Sequence, residues 1–266
     1  MTKSKEIYGI IDAGAEITGK SLSEATVGYI VGGEAGAVMG ALVGGAKAAW
    51  AVTYKLMGKE LAGRVLGHKE EQRVGATIIY SSEKFKKNLE SGRQLRSDDY
   101  LGINPNIKPP IEENLEAVLL TAQREYEEKK LPYLGNLMGN LPFEPSISKE
   151  HANHLIKQAN QLTYQQLTLL AVFAQSDEVK RNIYNLAEVD YRQSGKGLRT
   201  VTVGILHEAI ELYNSGMLSC SGTALLGLAD ITPLKMQPQG NGAHLFNLME
   251  LSSIPKPDKL RVAKMF

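Results

Sequence analysis

Between Gly28 and Trp50 the chain reads GYIVGGEAGAVMGALVGGAKAAW, with Gly28, Gly32, Gly36, Gly40 and Gly44 four residues apart and Ala48 in the same register. On a helix a four-residue step drifts by only about 40°, so the five glycines line one shallow groove winding around the axis. Glycine costs roughly 1 kcal/mol at each exposed helical position. A register of five therefore requires a compensating contact, and a groove without side chains supplies one by letting a second helix backbone come close.

Two settings meet that requirement. From Ala25 to Ala46 the only charged residue is Glu34, and a helix of about 22 residues is long enough to cross a hydrocarbon core of about 30 Å. The preceding SLSE, with Ser21 and Glu24 three apart, has the form of a capping box that opens such a helix. In lipid, Glu34 must face a partner helix, a bundle interior or water, because a carboxylate at membrane depth is costly. Several copies packed through their glycines would then turn Glu34 toward a cation-favouring pore. The other setting is a tightly packed soluble bundle, in which Glu34 is an ordinary buried or solvated acid. Segment length favours the membrane.

The basic flank fixes an orientation for the membrane setting. Lys47, Lys55, Lys59, Arg64, Lys69 and Arg73 follow the apolar run, so if the run spans once the C-terminal part is expected in the cytoplasm. The opening MTKSKEIYGIIDAGAE has lysines but no long apolar stretch before its first acids, unlike a cleaved leader. A net charge of +1 over 266 residues gives no bulk signature of a nucleic-acid-coating protein. The single cysteine, Cys220, rules out an internal disulfide and a cysteine-built zinc site.

Past the basic flank the pattern becomes helical and soluble. VGATIIY and EKFKKNLE predict an amphipathic helix, and GRQLRSDDYLGINPNIKPP breaks the periodicity with Gly92, Gly102, Pro105, Pro109 and Pro110. That break marks an expected boundary between a 1–100 glycine-zipper region and a 111–254 helical and winged-helix-like domain, with 255–266 as a mobile tail. IEENLEAVLLTAQREYEEKKLPYLGNLMGNL alternates acidic and apolar residues at helical spacing, Pro132 starting a second helix or kinking the first. Within it EYEEKK, Glu125 to Lys130, reads as a solvated helix face. SISKEHANHLIKQANQL, capped at Ser148, and LTYQQLTLLAVFAQ are two short helices with almost no linker, the beginning of a helix-turn-helix. TVTVGILHEAIELYNSG is an amphipathic helix ended by Gly216, MLSCSGTALLGLADITPLKM predicts two short strands around a loop, and GNGAHLFNLMELSSIP a last helix. The expected fold is mainly α: a glycine-zipper, transmembrane-type helix, a helical bundle, and a C-terminal winged-helix-like domain.

Chemistry-bearing constellations are few. In YRQSGKGLRT, Arg192, Lys196 and Arg199 surround two glycines just before a helix, a combination of cations, flexible backbone and helix N-terminus that suits a phosphate group. The spacing is not that of a Walker motif, and the competing reading is a solvated basic linker. His151 and His154, three apart beside Glu150, could supply two metal ligands, but no third is identifiable from spacing. His207 and Glu211, four apart, read as a helix pair rather than an acid–base dyad. No serine elbow, cysteine–histidine pairing, dinucleotide fingerprint or deaminase zinc pattern is present, so neither catalytic residues, a metal nor a cofactor is assigned.

EYEEKKLPYLGNLMGNLPFEPSISKEHANHLIKQANQLTYQQLTLLAVF, followed by ILHEAIELYNSGMLS and ITPLKMQPQGNGAHLFNLMEL, resembles the pattern of the abortive-infection alpha family of bacterial phage-defence proteins. Thr163 stands where that pattern has serine, Met217 follows Gly216, and Gln239 and Gly240 occupy the wing position. Beside a glycine-zipper span, the combination is similar to the oligonucleotide-gated channel subunit of the Hailong defence system. The resemblance implies a homo-oligomeric effector of the bacterial inner membrane, forming an ion channel in contact with lipid. Its cytoplasmic domain would sense a nucleotide or oligonucleotide. The competing expectation is a soluble DNA- or protein-binding regulator that uses the glycine helix to oligomerise.

Overall fold

The computed structural model describes residues 67–101, 109–186, 191, 198–221 and 224–266. The glycine register Gly28 to Gly44, Glu34, Arg192 and Lys196 all lie outside these residues. What is described is mainly helical, with one two-stranded antiparallel sheet. The chain divides into two compact units between Asn160 and Gln161.

In the first unit α1 (His68–Glu90) opens with the Gly67 N–H donating to the Glu70 carboxylate at 2.8 Å, and Glu70 and Glu71 complement the positive end of the helix. It buries Val74, Ile78, Ile79 and Phe85. α2 (Pro110–Arg124) begins on Pro110, whose missing N–H is no loss at a first helical position, and buries Ile111, Leu115, Val118, Leu119 and Ala122. α3 (Leu131–Asn140) carries Pro132 in its first turn, so the proline starts a helix here rather than kinking one. α1 packs against both α2 and α3, and the described parts of the 92–110 break are therefore connections inside this unit. α4 (Lys149–Gln161) follows, with the His151 N–H donating to the Ser148 hydroxyl at 3.2 Å as the expected cap.

α1 and α3 meet at backbone range. A Cβ added to Gly135 would lie 2.4 Å from Tyr80 Cβ, and one added to Gly139 would lie 2.7 Å from the Ser81 carbonyl oxygen. GNLMG is thus a small-xxx-small face in use, the same device that the 28–44 run displays in sequence.

The reading of EYEEKK as a solvated helix face is overturned. α2 ends at Arg124, the chain turns, and Glu128–Lys130 form one 3-10 turn before α3. The turn carries Lys130 and Glu125 inward to 2% and 6% exposure, where they pair with each other. The Glu127 N–H also donates to Glu125 at 2.9 Å, and Lys130 Nζ lies 3.5 Å from the Asn160 carbonyl oxygen. Tyr126, at 78%, and Lys129 keep the exposure expected of the run.

The second unit is built on α5 (Tyr164–Phe173), in which every residue but Gln165 is buried. A helix apolar all round must be covered on all sides, and α5 packs against α7 (Thr200–Asn214), β2 (Met236–Pro238), α8 (Gly240–Leu248) and α9 (Lys256–Ala263). Thr163 caps α5, accepting from the Gln166 N–H at 3.1 Å while Gln166 Oε1 accepts from the Thr163 N–H at 3.0 Å. α6 (Asp177–Asn182) points Lys180 inward, its ammonium donating to the carbonyls of Met236 at 2.9 Å and Leu234 at 3.3 Å.

α7 ends as its sequence predicts. Gly216 has φ +73°, its N–H donates to the Tyr213 carbonyl at 2.9 Å, and the Met217 N–H reaches back to the Leu212 carbonyl at 2.9 Å. This Schellman closure needs the left-handed conformation that glycine adopts without strain. β1 (Leu218–Cys220) follows at once and pairs antiparallel with β2, Ser219 opposite Gln237. Gln239 and Gly240 form the start of α8 instead of a wing tip, because Gln239 is the residue before its first turn. The last residues are not a loose tail. α9 buries Lys259, Val262 and Ala263 against the unit, and the tilted rings of Phe173 and Phe266 meet with centroids 5.8 Å apart.

Candidate functional site

Of the three cations expected to hold a phosphate, Arg199 is the one among the described residues. It is the residue before α7, with extended backbone (ψ 141°) and no side-chain cap at the helix start. Its guanidinium instead lies 3.4 Å from the carbonyl oxygens of Lys264 and Met265, and the Thr202 hydroxyl donates to the Met265 carbonyl at 2.7 Å. A cation against the last carbonyls of α9 complements the negative end of that helix. Arg199 thus ties the start of α7 to the end of α9 while remaining exposed.

Beside it lies an open groove of about 500 Å³ lined by Val201, Pro257, Leu260, Arg261, Lys264 and Met265. Its walls come from α7 and α9, its floor is apolar, and two cations stand on its rim. Arg261 shares a 4.0 Å ion pair with Asp258, whose carboxylate also accepts from the Tyr164 hydroxyl at 2.8 Å. Lys264 is exposed. Tyr191 is buried and its hydroxyl finds no partner among the described residues. Burial pushes the pKa of that phenol above its ordinary range, against a smaller opposing pull from Arg199. The arrangement can receive an apolar group with an acid beside it.

The other singled-out residues are placed elsewhere. His151 is half-buried and His154 exposed on α4, and no group of three or more histidine, cysteine or acidic side chains among the described residues is placed to hold a metal ion. The Glu150 backbone N–H, and after it the Ser148 side chain, hold the Glu150 carboxylate below its ordinary range, which marks a helix start. His207 is exposed, whereas Glu211 accepts from Gln166 Nε2 at 3.0 Å and Glu208 from the Thr163 hydroxyl at 3.3 Å. Both acids of α7 therefore serve the capped end of α5.

Two polar clusters of the first unit escaped the sequence reading. Arg93 donates to Asn140 Oδ1 at 3.0 Å and Glu144 at 2.6 Å, and Asn88 joins it through Asn140 at 2.8 Å. Arg96 donates to Asp98 and to the Ile147 carbonyl at 2.9 Å, and its guanidinium lies 4.0 Å from the centre of the Tyr100 ring. Arg96 holds the Asp98 carboxyl below the usual carboxylate range, and burial pushes the Tyr100 phenol well above its own. Both arginines sit in the 92–110 break, and no spacing rule announces such contacts. The GNLMG face did have a signal, the same four-residue glycine step seen at 28–44.

Among the described residues no helix is long and apolar enough to cross a membrane. The chain matches no protein-family model, no curated protein and no solved structure.

Proposed function

We propose that the protein is a homo-oligomeric effector of bacterial anti-phage defence that forms an ion channel or pore in the inner membrane, its C-terminal part in the cytoplasm. The observation that carries this reading is the run from Ala25 to Ala46: membrane length, glycine at every fourth residue, and Glu34 as its single charge. The cytoplasmic part senses a nucleotide or oligonucleotide through Arg192, Lys196 and Arg199. Gating follows from the ligand's differential affinity for two oligomer geometries. The cations on the neighbouring groove, Arg261 and Lys264, add to the positive field at that end of α7.

Fractionating expressing cells and measuring ion flux test it together. The protein is expected in the membrane fraction after a salt wash, with flux that Gly36→Leu abolishes and Glu34→Gln alters. Recovery as a monodisperse soluble species, or flux indifferent to both changes, would sink it.

One observation favours a second reading, a soluble winged-helix regulator oligomerised by the glycine helix: the order α7, β1, loop, β2, α8. Against DNA as its ligand, the stretch 200–214 carries no lysine or arginine and its exposed side presents Thr200, Gly204, His207, Glu211 and Asn214. A salt-sensitive shift of duplex DNA by the purified protein would favour this reading over the channel.

A further inference from the structure

The second unit carries an apolar knob and an apolar hole. Leu226, in the loop between β1 and β2, is 92% exposed, and its position is built rather than slack. The N–H groups of Leu226 and Gly227 both donate to Asp230 Oδ2 at 2.9 Å, while the preceding Leu225 is buried and donates from its N–H to the Tyr213 hydroxyl at 3.3 Å. The hole is the groove of Val201, Leu260, Met265 and Pro257, with Val201 45% exposed.

The Leu226 tip does not reach the groove of its own copy. Leu225 is tied to Tyr213, about 18 Å along the α7 axis from Val201, so knob and hole belong to opposite ends of one helix. The charges match across copies. Asp230 is the only ionisable residue from Ala224 to Ile231, whereas Arg261 and Lys264 line the groove and Arg199 stands next to it. Asp258, mostly buried, offsets part of the Arg261 charge.

We propose that the Leu226 tip of one copy docks in the Val201–Leu260–Met265 groove of a second copy, with Asp230 facing Arg261 and Lys264. A contact between two different patches is head-to-tail, so it closes into a ring or runs on as a filament. The proposal rests on the homo-oligomer part of the reading above and needs neither membrane insertion nor ion flux.

The test uses full-length protein with two differently tagged copies, one carrying Leu226→Cys and the other Val201→Cys, co-expressed and then exposed to a mild oxidant. A disulfide-linked dimer containing both tags is expected, at least about tenfold above the linked dimer of either variant alone, and Arg261→Glu with Lys264→Glu in the groove copy should lower it several-fold. The double variant Leu226→Cys/Val201→Cys should give linked species larger than a dimer. No mixed dimer, or equal dimers in each variant alone, would overturn the proposal. So would protection of Val201→Cys from maleimide by anionic lipid vesicles in the absence of any mixed dimer. A mixed dimer without ion flux would keep this contact and remove the channel, and flux without a mixed dimer would do the reverse.

Discussion

The two units solve the same problem with opposite materials. The first carries charge and glycine inside: Lys130 paired with Glu125, Asn88 and Asn140 bridged by Arg93, and two glycines that let α1 and α3 touch. The second wraps short elements around α5, all of whose residues but Gln165 are buried, meets the buried ammoniums of Lys180 and Lys259 with backbone carbonyls, and keeps its acids at the edges, where Glu208 and Glu211 brace a capping box. An apolar core tolerates trimming in proportion to the volume lost, whereas a buried ion pair fails when either member is removed, since the survivor keeps its desolvation cost without its attraction. The first unit should therefore be the more brittle toward single polar changes, and the second the more graded.

The sharpest break in that contrast is Glu125→Leu, which strands the Lys130 ammonium and should cost about 3–5 kcal/mol, whereas Glu125→Leu with Lys130→Met should recover most of it. Chemical denaturation of the three proteins decides the matter: equal losses for single and double variants would show that the pair is not acting as one. Its counterpart in the second unit, Phe173→Ala, removes a fully buried ring and is expected to cost about 3–5 kcal/mol with no such recovery by a partner change. Next in size is Gly135→Ala, whose methyl meets Tyr80 Cβ inside contact distance and should cost about 1–3 kcal/mol. A neutral melting temperature there would mean that α1 and α3 can part without loss.

Smaller still, Thr163→Ala removes the cap of α5 and should cost about 1 kcal/mol, seen as a lowered denaturation midpoint. The smallest effect is on pH dependence. Asp98 is held below its ordinary range by Arg96, so its stabilising contribution is present above the unfolded value of about 3.9 and is lost as pH falls through the lower folded value. Asp98→Asn should be less stable than the parent at neutral pH and converge with it in acid. Parallel curves at every pH would assign the pair no role.

Helix order and ends were legible where the signal is local. Gly216 closes α7, Ser148 opens α4 and Pro132 starts α3, because each acts through its own backbone geometry within a few residues. EYEEKK was misread because burial is decided by where the neighbouring helices go. Six charged or polar residues in a row look solvated, and only the turn between α2 and α3 carries two of them inside. The last residues were misread for a related reason: KPDKLRVAKMF is basic, yet Lys259 is buried with its ammonium donating to the Ser252 carbonyl at 3.0 Å, leaving Val262 and Ala263 to pack. Of the candidate site, the cations were legible as residue types. The use of Arg199 as a tie to the end of α9, and the groove beside it, depend on a contact more than sixty residues away in sequence.

Met217 has a consequence beyond the helix it closes. Its N–H completes the end of α7, its carbonyl accepts from the Gln239 N–H at 3.0 Å, and a Cβ on Gly242 would fall 2.0 Å from that same oxygen. One residue thus clasps the end of α7 to the beginning of α8, and the chain from Leu218 to Pro238 leaves and returns at a closed neck. Lengthening a loop closed in this way costs only about 0.6 kcal/mol per doubling. The tip around Leu226 is a cassette: it can be lengthened, exchanged or grafted while the helices that frame it, and the arms that bury Leu218, Ile231, Leu234 and Met236, keep their places.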